Sequence, residues 1–485
     1  MSFCNSVYSS VSNHTTTENG ALTNISTTDA IVDFFFHGAA LRNEPNEERI
    51  INLFEKAFNQ DPTKALRILF YIRDIRGGQG ERRVFRIILT SLAQNEEEWV
   101  IKYLDEIPTY GRWDDIIYLL SEDIPNTVKN KIVAIIKAQL KADLDQASKN
   151  RAITLLAKWM PSENASSTKT KDLANYLISA LNVTKKVYRK TLSTLRKHTN
   201  IVENNLRTKE YSTINYSTLP TKASMKYTKA FYRNDKSNFS KFIESAKEGK
   251  TKINAKVVYP YEIVQMLQKG NYDLAEAMWK NLPDYLGDVQ GLVVADTSGS
   301  MRGTPMNVSI SLALYVAERN KNKAFKDYFI SFSETPKLHK IKGNTFIEKC
   351  NSIKLGDIAS TNIQAVFDLI LDRAEAMNIP KSDMPKMLFI VSDMEFNQAT
   401  CNNTMTNFEV IRNKYAESKY EMPTLVFWNV NSRRNQTPVT INDRGVILIS
   451  GCSPVIFKYA LSTCNGIMGI INNVTESDRY NTISY

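Results

Sequence analysis

The sequence predicts an all-helical domain followed by a doubly wound α/β domain. Three observations predict it. From Asp29 to about Pro283 apolar residues recur at helical spacing, and strand-like alternation is scarce. After Pro283 short runs almost free of polar residues alternate with amphipathic stretches, the pattern of parallel strands covered on both faces. The chain also has 485 residues, too many for one compact core.

The elements follow in chain order. Residues 1–28 are rich in Ser, Thr and Asn and are expected to form a flexible tail. They lack the charged start and apolar run of a signal peptide. The helical domain is expected over 29–285. "EERIINLFEKAF" (47–58) puts Ile50, Ile51, Leu53, Phe54 and Phe58 on one side, and "PTKALRILFYIRDI" (62–75) does so with Leu66, Leu69, Phe70 and Ile72. Further amphipathic stretches lie near 82–94, 97–106, 126–142, 150–158, 171–182 and 184–198. Tight turns between them predict antiparallel pairs stacked as a solenoid, with no strict sequence period.

The α/β domain is expected over 286–485, with the join near 283–290. Its strands are "GLVVADTS" (291–298), "FKDYFISFS" (325–333), "KMLFIVSD" (386–393), "PTLVFWNV" (423–430) and "GVILISG" (445–451). Helices are expected near 304–319, 361–377 and 405–418. The final "TESDRYNTISY" (475–485) reads equally as a packed or a disordered tail.

Composition excludes several classes. Five cysteines without a CxxC spacing argue against a disulfide framework or a zinc ribbon. Four histidines with no paired spacing argue against a histidine metal site. No run approaches the roughly 20 apolar residues of a membrane-spanning helix. The expectation is a soluble, cytoplasmic protein. Its formal net charge of +11 favours an acidic partner, nucleic acid being the commonest.

In a doubly wound sheet, ligands sit at the carboxyl ends of the strands. Asp296 ends the first strand, with Ser298 and Ser300 in the turn that follows. Asp393 ends "LFIVSD", and Thr361 precedes the helix in "DIASTNIQAVFDLI". These oxygens are hard ligands suited to Mg²⁺ or another divalent cation. Each alone reads equally well as a helix cap; the combination favours the metal.

The pattern Asp-x-Ser-x-Ser, then Thr, then Asp resembles the metal-ion-dependent adhesion site of von Willebrand factor A domains. That likeness covers about 195 residues. It implies that Asp296, Ser298 and Ser300 form the first metal loop, Thr361 the second and Asp393 the third. In that family the hydroxyls bind the metal directly, and an open position takes a partner's carboxylate. One departure is Ala359-Ser360-Thr361-Asn362, where a glycine often precedes the threonine; Ser360 then becomes a substitute or assisting ligand.

The helical half carries the positive charge. From Lys185 to Lys256 there are 18 Lys and Arg against 5 Asp and Glu. That excess is larger than the net charge of the whole chain, so the remainder is slightly acidic. Tyr188, Tyr211, Tyr216, Tyr227, Phe231, Tyr232 and Phe239 are interleaved. Cations track a phosphate backbone and aromatics stack on unpaired bases, although any one tyrosine is more simply a core residue. The candidate RNA contacts are Arg76, Arg82, Lys185, Lys186, Arg189, Lys190, Arg196, Lys197, Lys222 and Lys226. In "YIRDIRGGQGERRVFR" (71–86) the arginines suit phosphate or Asp74 and Glu81 equally.

"FYIRDIRGGQGERRVF" and "GRWDDIIYLL" ahead of such an α/β domain resemble the Ro autoantigen (TROVE-module) RNA-binding proteins, and more nearly their phage, viral and plant relatives. The resemblance implies a HEAT-like helical domain and a ribonucleoprotein role: binding of small noncoding or misfolded RNA, single-stranded or structured. No catalysis is expected. A hydroxyl-rich site lacks the carboxylate cluster that holds two metals for phosphoryl chemistry, and there is no P-loop, GxSxG or Cys/His pair. The alternative is a metal-dependent adaptor that grips an acidic protein partner and has no RNA role.

Overall fold

The computed structural model describes residues 13–199, 201–255, 258–287, 290–332, 335–353, 361–398, 405–456, 459 and 466–485. An N-terminal helical domain precedes a C-terminal mixed-sheet domain. By contact the chain divides into two compact units, and the division differs from the expected join. The sheet unit takes Met1–Ile72, Gly77–Gln79 and Ala255–Tyr485; the helical unit takes Arg73–Arg76 and Gly80–Asn254.

The helix Ala30–Gly38 explains why the early helices belong with the sheet. Its sequence, "AIVDFFFHG", is buried at Ile31, Val32, Phe34, Phe35, Phe36 and His37, so it needs cover on nearly every side. Asp29 caps it by accepting from the Val32 amide at 3.0 Å. It packs on the last strand of the sheet and on the helix Gly466–Thr475. Ser450 on that strand donates to the Phe35 carbonyl at 2.7 Å. His37 is fully buried, its Nδ1 2.9 Å from the Ser432 hydroxyl.

Of the expected tail, residues 13–28 are described and carry regular structure. His14–Thr16 (β1) and Leu22–Asn24 (β2) form an antiparallel hairpin. Thr17, Thr23 and Thr27 are buried. Polar composition misled here because these hydroxyls are bonded within the protein: Thr17 donates to Phe396 O at 2.6 Å and Thr23 to Thr437 O at 2.8 Å.

The main sheet contains Gly291–Asp296 (β3), Tyr328–Phe332 (β4), Lys337–Lys340 (β5), Met387–Ser392 (β6), Thr424–Asn429 (β7) and Val446–Ser450 (β8). Its order is β5-β4-β3-β6-β7-β8. All neighbours are parallel except β4 and β5, an antiparallel edge pair that apolar patterning does not show. "KLHK" carries two lysines and is largely exposed, a usual guard for a sheet edge. The expected helices appear at Thr304–Arg319, Ile363–Ala376 and Asn407–Glu417. The C-terminal segment is packed: Tyr480 and Ile483 are buried, and Arg67 donates to the Ile483 and Asn481 carbonyls.

In the helical unit, sequential helices pack on one another, among them Arg83–Asn95 on Glu97–Tyr103 and Thr221–Asn234 on Lys236–Lys247. The helix expected over 150–158 is reduced to Leu156–Trp159, while the preceding helix runs on from Asn126 to Ser148. The chain reverses through Asn150 at φ 54°, and Asp143 accepts from the Thr154 amide and hydroxyl. This side-chain turn competes with helix.

Candidate metal centre and basic cavity

The carboxyl edge of the sheet brings the predicted acidic and hydroxyl residues together. Strand β3 lies between β4 and β6, so the chain leaves it toward β4 and later returns on its other side. In doubly wound folds such a reversal marks where ligands bind, at the carboxyl ends of the strands on either side of it, here β3 and β6. Asp296 ends β3 and Asp393 follows β6.

Asp296 is fully buried. One oxygen accepts from the Ser298 amide at 2.9 Å and the other from the Ser392 hydroxyl at 2.5 Å. The Ser298 and Ser300 hydroxyls lie 3.1 Å apart. Burial, and then the charge of Asp393, push the Asp296 carboxyl up to about 7, against the pull of the Ser298 and Ser392 donors. Burial also pushes Asp393 up, with the Ser300 hydroxyl opposing. Met394, at φ 67°, turns the chain sharply after β6, and its amide donates to Ser392 Oγ at 3.0 Å. A left-handed methionine is a strained conformation that persists only where surrounding contacts demand it.

Thr361 is fully buried and joins the same edge through Asn397: its amide donates to Asn397 Oδ1 at 2.9 Å, and the Asn397 amide returns to its carbonyl at 2.7 Å. Two buried oxygens here have no hydrogen-bond donor among the described residues, Thr361 Oγ1 and Asp393 Oδ2. Buried polar atoms are rarely left so, and a hard cation satisfies both. The residues therefore fit the metal that the motif implies. Among the described residues no group of three or more His, Cys, Asp or Glu comes together, so a cation at this edge relies on hydroxyls as well as carboxylates. Ser360 lies outside the described residues.

Sequence reasoning missed three supports of this edge. Ser392 holds Asp296, and Asn397 holds Thr361. Glu395 is fully buried; its carboxylate accepts from the Glu18 amide and from Gln436 Nε2, both at 2.6 Å. Asn19 donates to its carbonyl at 2.6 Å. The β1–β2 hairpin thus grips the loop that carries Asp393. A hydroxyl next to a strand-end aspartate was a readable signal for Ser392; the hairpin contacts left none.

The predicted RNA contacts separate into three groups. Arg189, Arg196, Lys197 and Lys226 line one cavity of about 520 Å³ in the helical unit. Lys158 and Arg207 join them, giving six cations against Glu163 and Glu203. Lys185, Lys186 and Lys190 stand exposed elsewhere on the helix Lys185–His198, and Lys222 is exposed on Thr221–Asn234. Arg76 and Arg82 are exposed away from the cavity lining; Arg76 donates to Thr109 O, and Arg82 lies 3.7 Å from Asp114.

The Arg196 guanidinium donates to Ala157 O, Met160 O and Ser162 Oγ, which fixes the cavity wall. Several interleaved aromatics are core, the simpler reading of each. Tyr188, Tyr216, Phe231 and Phe239 are buried, and the Tyr216 ring packs against both Phe231 and Phe239.

The arginines of the 71–86 stretch are also structural in part. Buried Asp115 accepts from Arg73 Nε and Nη2 at 2.9 and 2.7 Å, from Arg86 Nε at 2.8 Å and from the Arg112 amide at 2.9 Å. Asp74 and Glu81 accept from the Arg76 and Arg83 amides, at 2.8 and 3.0 Å. Sequence spacing does not show a pair 42 positions apart.

The chain matches two family models and a viral relative. A family model described as "Domain of unknown function (DUF7788)" matches residues 290–481. Another, "Domain of unknown function (DUF2828)", matches residues 17–120 and 127–292, more than half of the chain. The chain is 31% identical to "Uncharacterized protein L728" of Acanthamoeba polyphaga mimivirus, over 92% of this chain and 84% of that protein. Among solved structures it is similar to the Ro (RSR) protein of Deinococcus radiodurans, at 11% identity and a TM-score of 0.36, over 92% and 93% of the two chains. At that score the structural likeness carries no argument. No helix among the described residues is long and apolar enough to cross a membrane. By the extent of the family match and of the viral relative, the chain belongs to the DUF2828 family.

Proposed function

We propose that this chain is a non-catalytic RNA-binding protein. Its helical unit, in a HEAT-like stack, holds small noncoding or misfolded RNA. Its sheet unit, in a von Willebrand A-like fold, holds a divalent cation such as Mg²⁺ that engages an acidic protein partner. The observation that supports RNA most is the placement of charge: six cations gather around one cavity, and Lys185, Lys186 and Lys190 stand exposed on a helix that lines it. Such a surface attracts phosphate over several ångströms and binds it without a fixed sequence.

The cation would rest on Asp296, Ser298, Ser300, Thr361 and Asp393. When bound it supplies a Lewis-acidic position for a partner's carboxylate. The protein's part is to hold Asp296 by Ser392 and Ser298, and to present the unsatisfied Asp393 and Thr361 oxygens. Those two atoms also favour the second reading, a metal-dependent adaptor with no RNA role.

Fluorescence anisotropy separates the readings. The probes are a labelled single-stranded RNA and a hairpin with a 3′ overhang, titrated at low and moderate salt, with Mg²⁺ and with chelator. The RNA reading expects salt-sensitive binding that ignores chelator. Charge reversal at Lys185, Lys186 and Lys190 then lowers the slope of log K against log salt by about 2 for single-stranded RNA. Absence of binding at low salt overturns it and leaves the adaptor, which predicts Mg²⁺-dependent capture of a protein partner that Asp296→Asn abolishes.

A further inference from the structure

The cavity in the helical unit contains more than positive charge. Lys197 and Arg207 are exposed and have no carboxylate partner among the described residues. Lys226 sits 4.9 Å from the centre of the Tyr227 ring. Two carboxylates share this cation-lined space, and each is half used. Glu163 accepts from Arg189 at 2.8 Å through Oε1; Glu203 accepts from Lys158 and from the Tyr227 hydroxyl, both at 3.3 Å, through Oε1. The Oε2 atom of each is buried and has no hydrogen-bond donor among the described residues. The Glu163 side chain keeps only 9% of its accessible surface.

A simple anion does not complete this arrangement. Inorganic phosphate would meet the cations, but its charge would be repelled by both carboxylates. The cavity calls for a ligand with a phosphate at one end and hydroxyl donors beside it. Leu192, Ile201 and the Tyr227 ring add an apolar wall for a flat base. The volume, about 520 Å³, lies within the roughly 300–1,000 Å³ of small-molecule sites.

We infer that the cavity is a subsite for a single ribonucleotide. Lys197, Arg207 and Lys226 hold its phosphate, and Glu163 and Glu203 turn their unpaired Oε2 atoms towards the cavity to accept from its ribose hydroxyls. Acceptance of ribose hydroxyls by an acidic residue is the same chemistry that dinucleotide folds use. The inference deepens the RNA reading and rests on it: the nucleotide is one unit of a bound strand, identified as ribose by its 2′-hydroxyl.

The test is isothermal titration of the full chain with AMP, 2′-deoxy-AMP, adenosine and inorganic phosphate, followed by competition of AMP against the labelled RNA. AMP is expected to bind about tenfold more tightly than 2′-deoxy-AMP, the value of one charge-assisted hydrogen bond, and more tightly than adenosine or phosphate. Arg207→Glu is expected to weaken AMP about tenfold or more at unchanged melting temperature. Lys226→Gln serves as the second variant if Arg207→Glu melts early. Glu163→Gln is expected to bring AMP and 2′-deoxy-AMP closer together. Equal binding of AMP and 2′-deoxy-AMP, or of AMP and phosphate, overturns the inference, as does indifference to both cation variants. RNA binding that AMP does not compete for overturns the subsite and leaves the RNA reading intact. AMP binding without RNA binding overturns the RNA reading and leaves a site for a free nucleotide.

Discussion

Asp115 in the helical unit and the pair Asp296 and Asp393 in the sheet unit are all buried carboxylates, yet they are built in opposite ways. Asp115 is finished by the protein: Arg73, Arg86 and the Arg112 amide supply four hydrogen bonds. Asp296 and Asp393 receive donors from hydroxyls and amides only, and burial drives both carboxyls up. Asp393 Oδ2 is left with no donor among the described residues. A buried charge matched by arginines holds a fold together. One left partly unmatched at a strand edge is poised for a ligand.

The largest expected effect tests that contrast directly. Asp115→Asn leaves Arg73 buried beside a neutral group and is expected to cost about 3–5 kcal/mol. Asp296→Asn, at a carboxyl that burial already pushes towards its neutral form, is expected to cost less than about 1 kcal/mol. Urea denaturation of both variants reads the difference, and equal losses would break the comparison.

A second expectation concerns His37, which burial, aided by the charge of Arg49, pushes down to about 3. Its pKa is lowered on folding, so below the unfolded value near 6.5 the unfolded chain binds the proton that the folded chain refuses. Stability is therefore lost as pH falls, by about 2 kcal/mol between pH 6.5 and 5. Thermal melts across that range should show the loss, and His37→Asn should flatten it. A pH-independent melting temperature would contradict the burial argument.

The smallest effect sharpens the comparison most. If the Asp296 edge awaits a cation, Mg²⁺ at tenfold excess over its Kd stabilises the chain by about 1.4 kcal/mol. Differential scanning fluorimetry should show the upward shift in wild type and its absence in Asp393→Asn. A shift of the same size in both would place the metal elsewhere.

The candidate metal centre was legible because its signals are local. Asp296, Ser298 and Ser300 lie within five positions, and strands without polar residues locate Asp393 at a strand end. The alternation of strands and helices likewise announced the C-terminal sheet. What stayed hidden is non-local. The Arg73–Asp115 pair, the β1–β2 hairpin and the antiparallel edge strand β5 depend on partners that periodicity does not encode. The basic stretch was legible as charge alone. Its division into cavity wall, exposed lysines and buried aromatics depends on helix packing, which also turned Arg196 inward.

The hairpin carries a consequence for the order of assembly. Thr17 and its partner carbonyl at Phe396 are 379 positions apart. At roughly 5–20 residues per second of synthesis, that partner emerges about 20–75 s after the hairpin does. The whole helical unit is encoded between them. During translation the helical unit can pack from neighbouring helices, and Ala30–Gly38 can meet Glu47–Gln60, while its face towards β8 waits for that strand. The nascent chain thus carries a partly uncovered apolar helix for most of its synthesis, a span in which a chaperone has an obvious target.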